Sequence, residues 1–143
     1  MPKRSIRTII ENQQILTAPS TTTVSDAARL MRDQKTGALM VCDKKRLVGM
    51  FTERDALFRV TAEQADPKTT LLSDVMTADP QTIGPDKPLG HALHMMYEGG
   101  FRYVPVIENG RPIGMVSAHD ALGPELKEFV AEMDERENIA EIL

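Results

Sequence analysis

The chain has one cysteine, no tryptophan, two tyrosines and four phenylalanines among 143 residues. Cys42 has no internal partner, so no disulfide forms within the chain and a reducing cytoplasm is the simplest home. Inside Ala38-Leu39-Met40-Val41-Cys42 it reads as a buried strand residue packed as a small hydrophobe before it reads as a reactive thiol. No apolar run approaches the ~18 residues of a membrane span. The basic start Met1-Pro2-Lys3-Arg4 is not followed by an apolar stretch of signal-peptide length. There is no basic excess either: the net charge of −4 argues against a broad nucleic-acid surface. Catalytic patterns are also missing. No Ser-His-Asp or Cys-His arrangement stands out, and no glycine-rich loop is present to cradle a phosphate.

What is present is ordinary soluble composition, 41% apolar and 27% charged, and a repeat. Gly49-Met50-Phe51-Thr52-Glu53-Arg54-Asp55-Ala56-Leu57 returns as Gly114-Met115-Val116-Ser117-Ala118-His119-Asp120-Ala121-Leu122, each position 65 residues on. The same offset carries Ala27 to Ala92, Met31 to Met96, Val41 to Val106 and Arg46 to Arg111. Nine of the 36 pairs between 22–57 and 87–122 are identical, where ordinary residue usage gives about two. The chain is a duplication.

Each copy reads as β-α-β-β-α. A short strand (Ile15–Thr17, or Gln81–Ile83) leads into a turn and a helix. Thr23 is placed to cap the first helix, with Asp26 three residues on. Asp86 is the candidate cap of the second, with Pro88 in its first turn. Val24, Ala27, Ala28 and Met31 recur at helical spacing and are matched by Leu89, Ala92, Leu93 and Met96. Two strands follow in each copy, Ala38–Cys42 with Leu47–Phe51, and Tyr103–Ile107 with Pro112–Val116. Asn109-Gly110 is a strong hairpin turn. A second helix starts at Thr52 or Ser117. Residues 61–70 form a polar linker, and Leu71–Met76 is predicted as a short helix. The division is therefore 1–66, 67–123 and a tail helix 124–143. Leu126, Phe129, Val130 and Met133 make the tail too apolar on one face to stand free, so it is expected to pack on the body or on a second copy. Neither half can bury both faces of its small sheet, so the halves are expected to pack face to face.

A tandem β-α-β-β-α unit with Gly-hydrophobic-hydrophobic-(Ser/Thr)-x-x-Asp after its third strand resembles the CBS domain pair, or Bateman module. Asp74-Val75-Met76-Thr77 looks like the segment opening a CBS repeat, and Tyr103-Val104-Pro105-Val106 is similar to its middle strand. The resemblance covers residues of about 9 to 122, with nothing fused to the pair, the stand-alone type. It implies an α/β (α+β) protein with pseudo-twofold symmetry. It also implies a non-enzymatic role in signal transduction and energy sensing, with an adenine nucleotide (AMP, ATP or NAD) as regulatory ligand and no metal. A homodimer and an unidentified protein target are the expected partners, with no nucleic acid and no membrane.

The site residues follow from the same resemblance. A hydroxyl and an Asp three residues later share one face of a helix's first turn. The carboxylate suits a ribose diol, and the hydroxyl with free N–H groups suits a phosphate. The pairs are Thr52 with Asp55 and Ser117 with Asp120, with Met50 and Met115 alongside the adenosine. The plainer reading makes Thr52 and Ser117 simple N-caps, with Asp55 and Asp120 in the favoured first turn. In the family the Asp of one module faces the other module. Asp55 is thus expected near Ile83 and Phe101-Arg102, and Asp120 near Thr17-Ala18 and Thr36-Gly37. Arg54, Arg59 and Arg102 are candidate phosphate partners in the first cleft; solvated helix face is the plainer reading of Arg54 and Arg59. The second cleft has His119 and Gly37 in place of Arg54 and Arg102, so tighter binding is expected beside Asp55. His91 and His94 have metal-chelating spacing, yet their counterparts Asp26 and Arg29 mark an exposed helix face. The competing function is a protein-interaction module with vestigial clefts.

Overall fold

The computed structural model describes the backbone of residues 4–142 and the side chains of 4–123 and 129–137. The first half contains α1 (Ile6–Ile10), β1 (Thr17–Ala18), α2 (Val24–Gln34), β2 (Ala38–Asp43) and β3 (Arg46–Thr52). It closes with α3 (Glu53–Asp55), which continues as a π-helical turn over Ala56–Thr61. The second half contains α4 (Leu72–Val75), β4 (Thr77–Ala78), α5 (Leu89–Gly99), β5 (Tyr103–Glu108) and β6 (Arg111–Ser117). A 3-10 turn over Ala118–Leu122 then leads into α6 (Gly123–Ile142).

The 65-residue offset survives in the backbone. β2 and β3 pair antiparallel with Ala38 opposite Thr52 and Met40 opposite Met50. β5 and β6 repeat this with Tyr103 opposite Ser117 and Pro105 opposite Met115. The register slips at Val41/Cys42 in one hairpin and at Val106/Ile107 in the other, equivalent positions. Thr23 caps α2 by accepting from the Asp26 amide. The first strand is displaced from its expected place: β1 covers Thr17–Ala18 and runs parallel to β2, while Leu16 contributes only its carbonyl to Met40. In the second half the expected strand 81–83 shrinks to one parallel bridge between Ile83 and Val106. Asp86 does not cap α5. Pro88 is the N-cap, without a side-chain bond, and Asp86, two residues earlier, pairs with Arg7 at 3.1 Å.

The halves exchange their lead-in helices. Leu72 and Val75 of α4 are buried in the first core, among Val24, Met31, Leu39 and Phe51. Ile6 and Ile10 of α1 are buried in the second, among Leu89, Met96, Val104 and Val116. Backbone bonds fix both crossings: Leu72 donates to Thr22 and Ile6 to Lys87, at 2.9 and 3.0 Å. Ile6 and Leu72 are both fully buried, and such a side chain stabilises by about 1.5–3 kcal/mol. Each half is therefore completed by a segment of the other. Between them lies a third apolar layer of Ala38, Met40 and Met50, against which Tyr103 and Met115 pack. The expected face-to-face packing is thus mediated by the two hairpins. Of the two places expected for the α6 face, the body does not cover Phe129, Val130 and Met133, which are 59, 49 and 42% exposed. The Leu126 side chain lies outside the described residues. Cys42 is half-buried, not buried, and burial followed by the neighbouring Asp43 pushes its thiol pKa up.

Candidate functional site

Both Thr/Ser-x-x-Asp motifs form at the junction where the third strand of a half turns into its last helix. Thr52 accepts from the Asp55 amide at 3.2 Å, and the Asp55 Oδ2 accepts from the Thr52 amide at 3.0 Å. Ser117 donates its amide to Asp120 Oδ2 at 2.8 Å in the same way. Both hydroxyl residues stand at the N-cap, Thr52 with a side-chain cap bond and Ser117 with its hydroxyl 3.4 Å from Asp120 Oδ2, and each arrangement leaves one carboxylate oxygen for other work. The following amide is committed as well: Glu53 donates to the Gly37 carbonyl at 2.8 Å and Ala118 to that of Arg102 at 2.9 Å. Gly37 thus sits beside the Thr52 motif and Arg102 beside the Ser117 motif, each within its own half.

Contacts across the halves are made by other residues. Arg54 reaches the Gly100 carbonyl at 3.4 Å and lies over the Phe58 ring at 5.4 Å. The Tyr103 hydroxyl approaches Gly37 and Glu53. A Cβ at Gly37 would stand 2.5 Å from that oxygen and 2.8 Å from the Glu53 carboxylate, so any larger residue there must push one of the two side chains aside. Burial first and Glu53 second push the Tyr103 pKa up.

A cavity of about 680 Å³ opens between the halves. Its walls are the lead-in residues Gln13 to Leu16, the α2–β2 turn with Thr36 and Ala38, Met40, and Met115 from the second half. Gln13 braces it, giving Nε2 to the Met115 carbonyl at 2.7 Å and taking the Met115 amide on Oε1 at 2.8 Å. The amide side chain thereby does for β6 what β4 does for β3, where Thr77 pairs with Met50. Thr36 and Met115 are in the wall as expected. Thr17 is exposed at the margin, whereas Ala18 and Ile83 turn their side chains into the two cores. Gln13, Gln14, Ile15 and Ala38 were not legible as wall residues, because the strand expected at 15–17 begins two residues later. His119 is exposed, with Asp120 half-exposed.

Arg59 departs from the phosphate role expected of it. Its guanidinium donates to the Met76 carbonyl at 2.8 Å and stands 3.5 Å from Asp55 Oδ1. Thr77 donates to the same oxygen at 3.3 Å. Asp55 is consequently 7% exposed and occupied on both oxygens. His94 pairs with Glu98 at 3.1 Å, and among the described residues no three His, Cys, Asp or Glu side chains converge on a point.

Two hairpin-and-helix units that exchange lead-ins and enclose a cavity between their hairpins define a tandem-module α/β protein with its candidate sites at the module boundary. The sequence pattern of the CBS domain matches residues 6–62 and 72–123, so the chain belongs to the CBS-domain family. It is 37% identical over 118 residues to the CBS domain-containing protein CBSCBSPB3 of Arabidopsis thaliana, covering 80% of this chain. The chain spans about a fifth of the length of such plant relatives. Among solved structures it superposes on one described as a signal-transduction protein with CBS domains from Burkholderia ambifaria. That match has a TM-score of 0.77 and 29% identity, covering 81% of this chain and 89% of the other. A CBS domain protein from Pyrobaculum aerophilum, complexed with AMP, shares the fold at TM-score 0.73 and 23% identity, over 82% of this chain and 88% of that one. No helix among the described residues is long and apolar enough to cross a membrane.

Proposed function

We propose that this protein is a non-enzymatic regulator that binds an adenine nucleotide (AMP, ATP or NAD) between its modules and signals occupancy through their packing. The observation that carries this is the cavity of about 680 Å³ walled by both halves, within the roughly 300–1,000 Å³ usual for small-molecule sites. Its apolar wall of Ile15, Ala38, Met40 and Met115 suits a base. Met115 and Ser117 lie two apart on β6 and so share a face, which supports a role for the Ser117 hydroxyl and the Asp120 carboxylate with the sugar and phosphate. Arg102, joined to the same motif through its carbonyl, adds a cation. A ligand that touches both halves shifts their equilibrium by its differential affinity for the closed arrangement. The Pyrobaculum protein indicates that the fold can hold AMP. A homodimer with an unidentified downstream protein, in the cytoplasm, is the setting that fits this role.

A second reading is favoured by α6: its exposed Phe129, Val130 and Met133 fit a protein-interaction module that works without nucleotide. Thermal melting against AMP, ATP, NAD and GTP separates the two. A ligand at 100 times its dissociation constant adds about 2.7 kcal/mol, which raises the midpoint by roughly 5–10 °C at this size. A shift with adenine ligands and not with GTP supports the regulator. Unchanged melting with all four at millimolar concentration rejects it in favour of the interaction module.

A further inference from the structure

We infer that the duplication has left two unequal clefts, and that the chain offers one nucleotide site, beside Met115, Ser117 and Asp120, while its Asp55 counterpart has become a structural clamp. This rests on the nucleotide reading above and decides which half serves it.

Space is the first difference. Thr36 and Ala38 wall the open cavity; 65 residues on, the same positions are Phe101 and Tyr103. The Phe101 ring lies where any side chain at Gly99 would go and packs on the second core. Tyr103 packs with Met50, Ala38 and Met40, and its hydroxyl reaches across to Gly37 and Glu53. Two aromatic rings therefore occupy positions held by small side chains around the open cavity. The methionines register the result: Met50 is 3% exposed and Met115 is half-buried.

The carboxylates differ likewise. Asp55 spends Oδ2 on Thr52 and Oδ1 on Thr77 and Arg59. Asp120 spends Oδ2 on Ser117, and Oδ1 takes no hydrogen bond from any described residue. A ribose diol approaching Asp55 must displace the Thr77 hydroxyl, which already donates to Oδ1, and the Arg59 guanidinium that stands 3.5 Å from the same oxygen. At Asp120 it meets a partly exposed acceptor.

The two motifs are also followed by different helix forms. The π-helical turn Ala56–Thr61 carries Arg59 back over Asp55 and onto the carbonyls of Val75 and Met76, tying the exchanged α4 to the first half. In the second half a 3-10 turn runs over Ala118–Leu122. The position 65 after Arg59 is Pro124, whose side chain has no hydrogen-bond donor.

The test is calorimetric titration of the whole chain with AMP, ATP and NAD separately, together with ligand-free melting. One nucleotide per chain is expected. Asp120→Asn should weaken the best ligand at least about tenfold, as the loss of a charged hydrogen bond does, and Thr36→Phe should do the same by filling the cavity. Asp55→Asn should bind like wild type but melt several degrees lower. Its loss should not add to that of Arg59→Ala in the double variant. Two nucleotides per chain, or one that is lost with Asp55→Asn and kept with Asp120→Asn, overturns the inference. If no nucleotide binds wild type, the proposed function fails; the clamp is then judged by melting alone, and additive or absent losses at Asp55 and Arg59 overturn it.

Discussion

Lys35 and Gly100 stand 65 residues apart at the ends of α2 and α5, and both take the left-handed conformation, with φ of 53° and 71°. One half meets this demand with a lysine, the other with the residue that meets it without a Cβ penalty. The hairpins repeat the contrast: Lys44 and Lys45 have φ of 51° and 65°, where Asn109 and Gly110 have 55° and 78°. The backbone path has been held across the duplication while the residues that suit it best have not. At these paired positions the first half is locally strained and held by its packing, whereas the second is locally relaxed.

The exchanged helices bear most heavily on whether the two halves are equivalent. If the two crossings are equivalent, Ile6→Ala and Leu72→Ala, both at fully buried sites, should each cost about 2–5 kcal/mol in denaturant unfolding. Both should lower the midpoint of one cooperative transition, because each residue sits in the core of the opposite half. Separate transitions for the halves, or a loss at one site only, would show that the halves stand apart.

A gentler test acts on the strain itself. A non-glycine residue in the left-handed region costs about 1–2 kcal/mol. Lys35→Gly is expected to recover roughly 0.5–1 kcal/mol, since glycine also loosens the unfolded chain. Gly100→Lys should lose a similar amount. Equal and opposite changes in chemical denaturation would confirm that the two helix ends are the same device built from different residues. A destabilised Lys35→Gly would mean that the lysine makes a compensating contact.

The repeat made most of the fold legible. Strand pairs, the Thr23 cap and the Asn109-Gly110 turn follow from local patterns, and the constant spacing made each half a check on the other. The exchange of α1 and α4 was not legible, because Ile6 and Leu72 carry no mark of which core they enter; only the chain's path decides that. The site was read from the motif outward, and there symmetry misled. Arginines near Asp55 looked like phosphate ligands, yet Arg59 is held by the Met76 carbonyl, which only the crossing of α4 brings within reach. Phe101 and Tyr103 opposite Thr36 and Ala38 were the available signal: two rings against two small side chains already mark which cleft is filled.

The smallest effect concerns the acid ending the middle strand in each half. Glu108 holds Arg7 of the exchanged helix at 2.6 Å; its counterpart Asp43 accepts from the Ser20 hydroxyl and amide at 2.6 and 3.0 Å. The Ser20 hydroxyl, then its amide, holds the Asp43 carboxyl below its ordinary value. The sign follows from linkage: a carboxyl depressed in the folded state adds stability above its unfolded pKa and loses it as pH falls through the folded one. Ser20→Ala should move the Asp43 carboxyl resonance titration up toward an ordinary aspartate near 4, with little change in melting at neutral pH. Arg7→Ala, which removes the exposed pairs with Asp86 and Glu108, should lower the melting midpoint only slightly, and less in high salt. An Asp43 titration unmoved by Ser20→Ala would transfer the depression from the hydroxyl to the Ser20 amide.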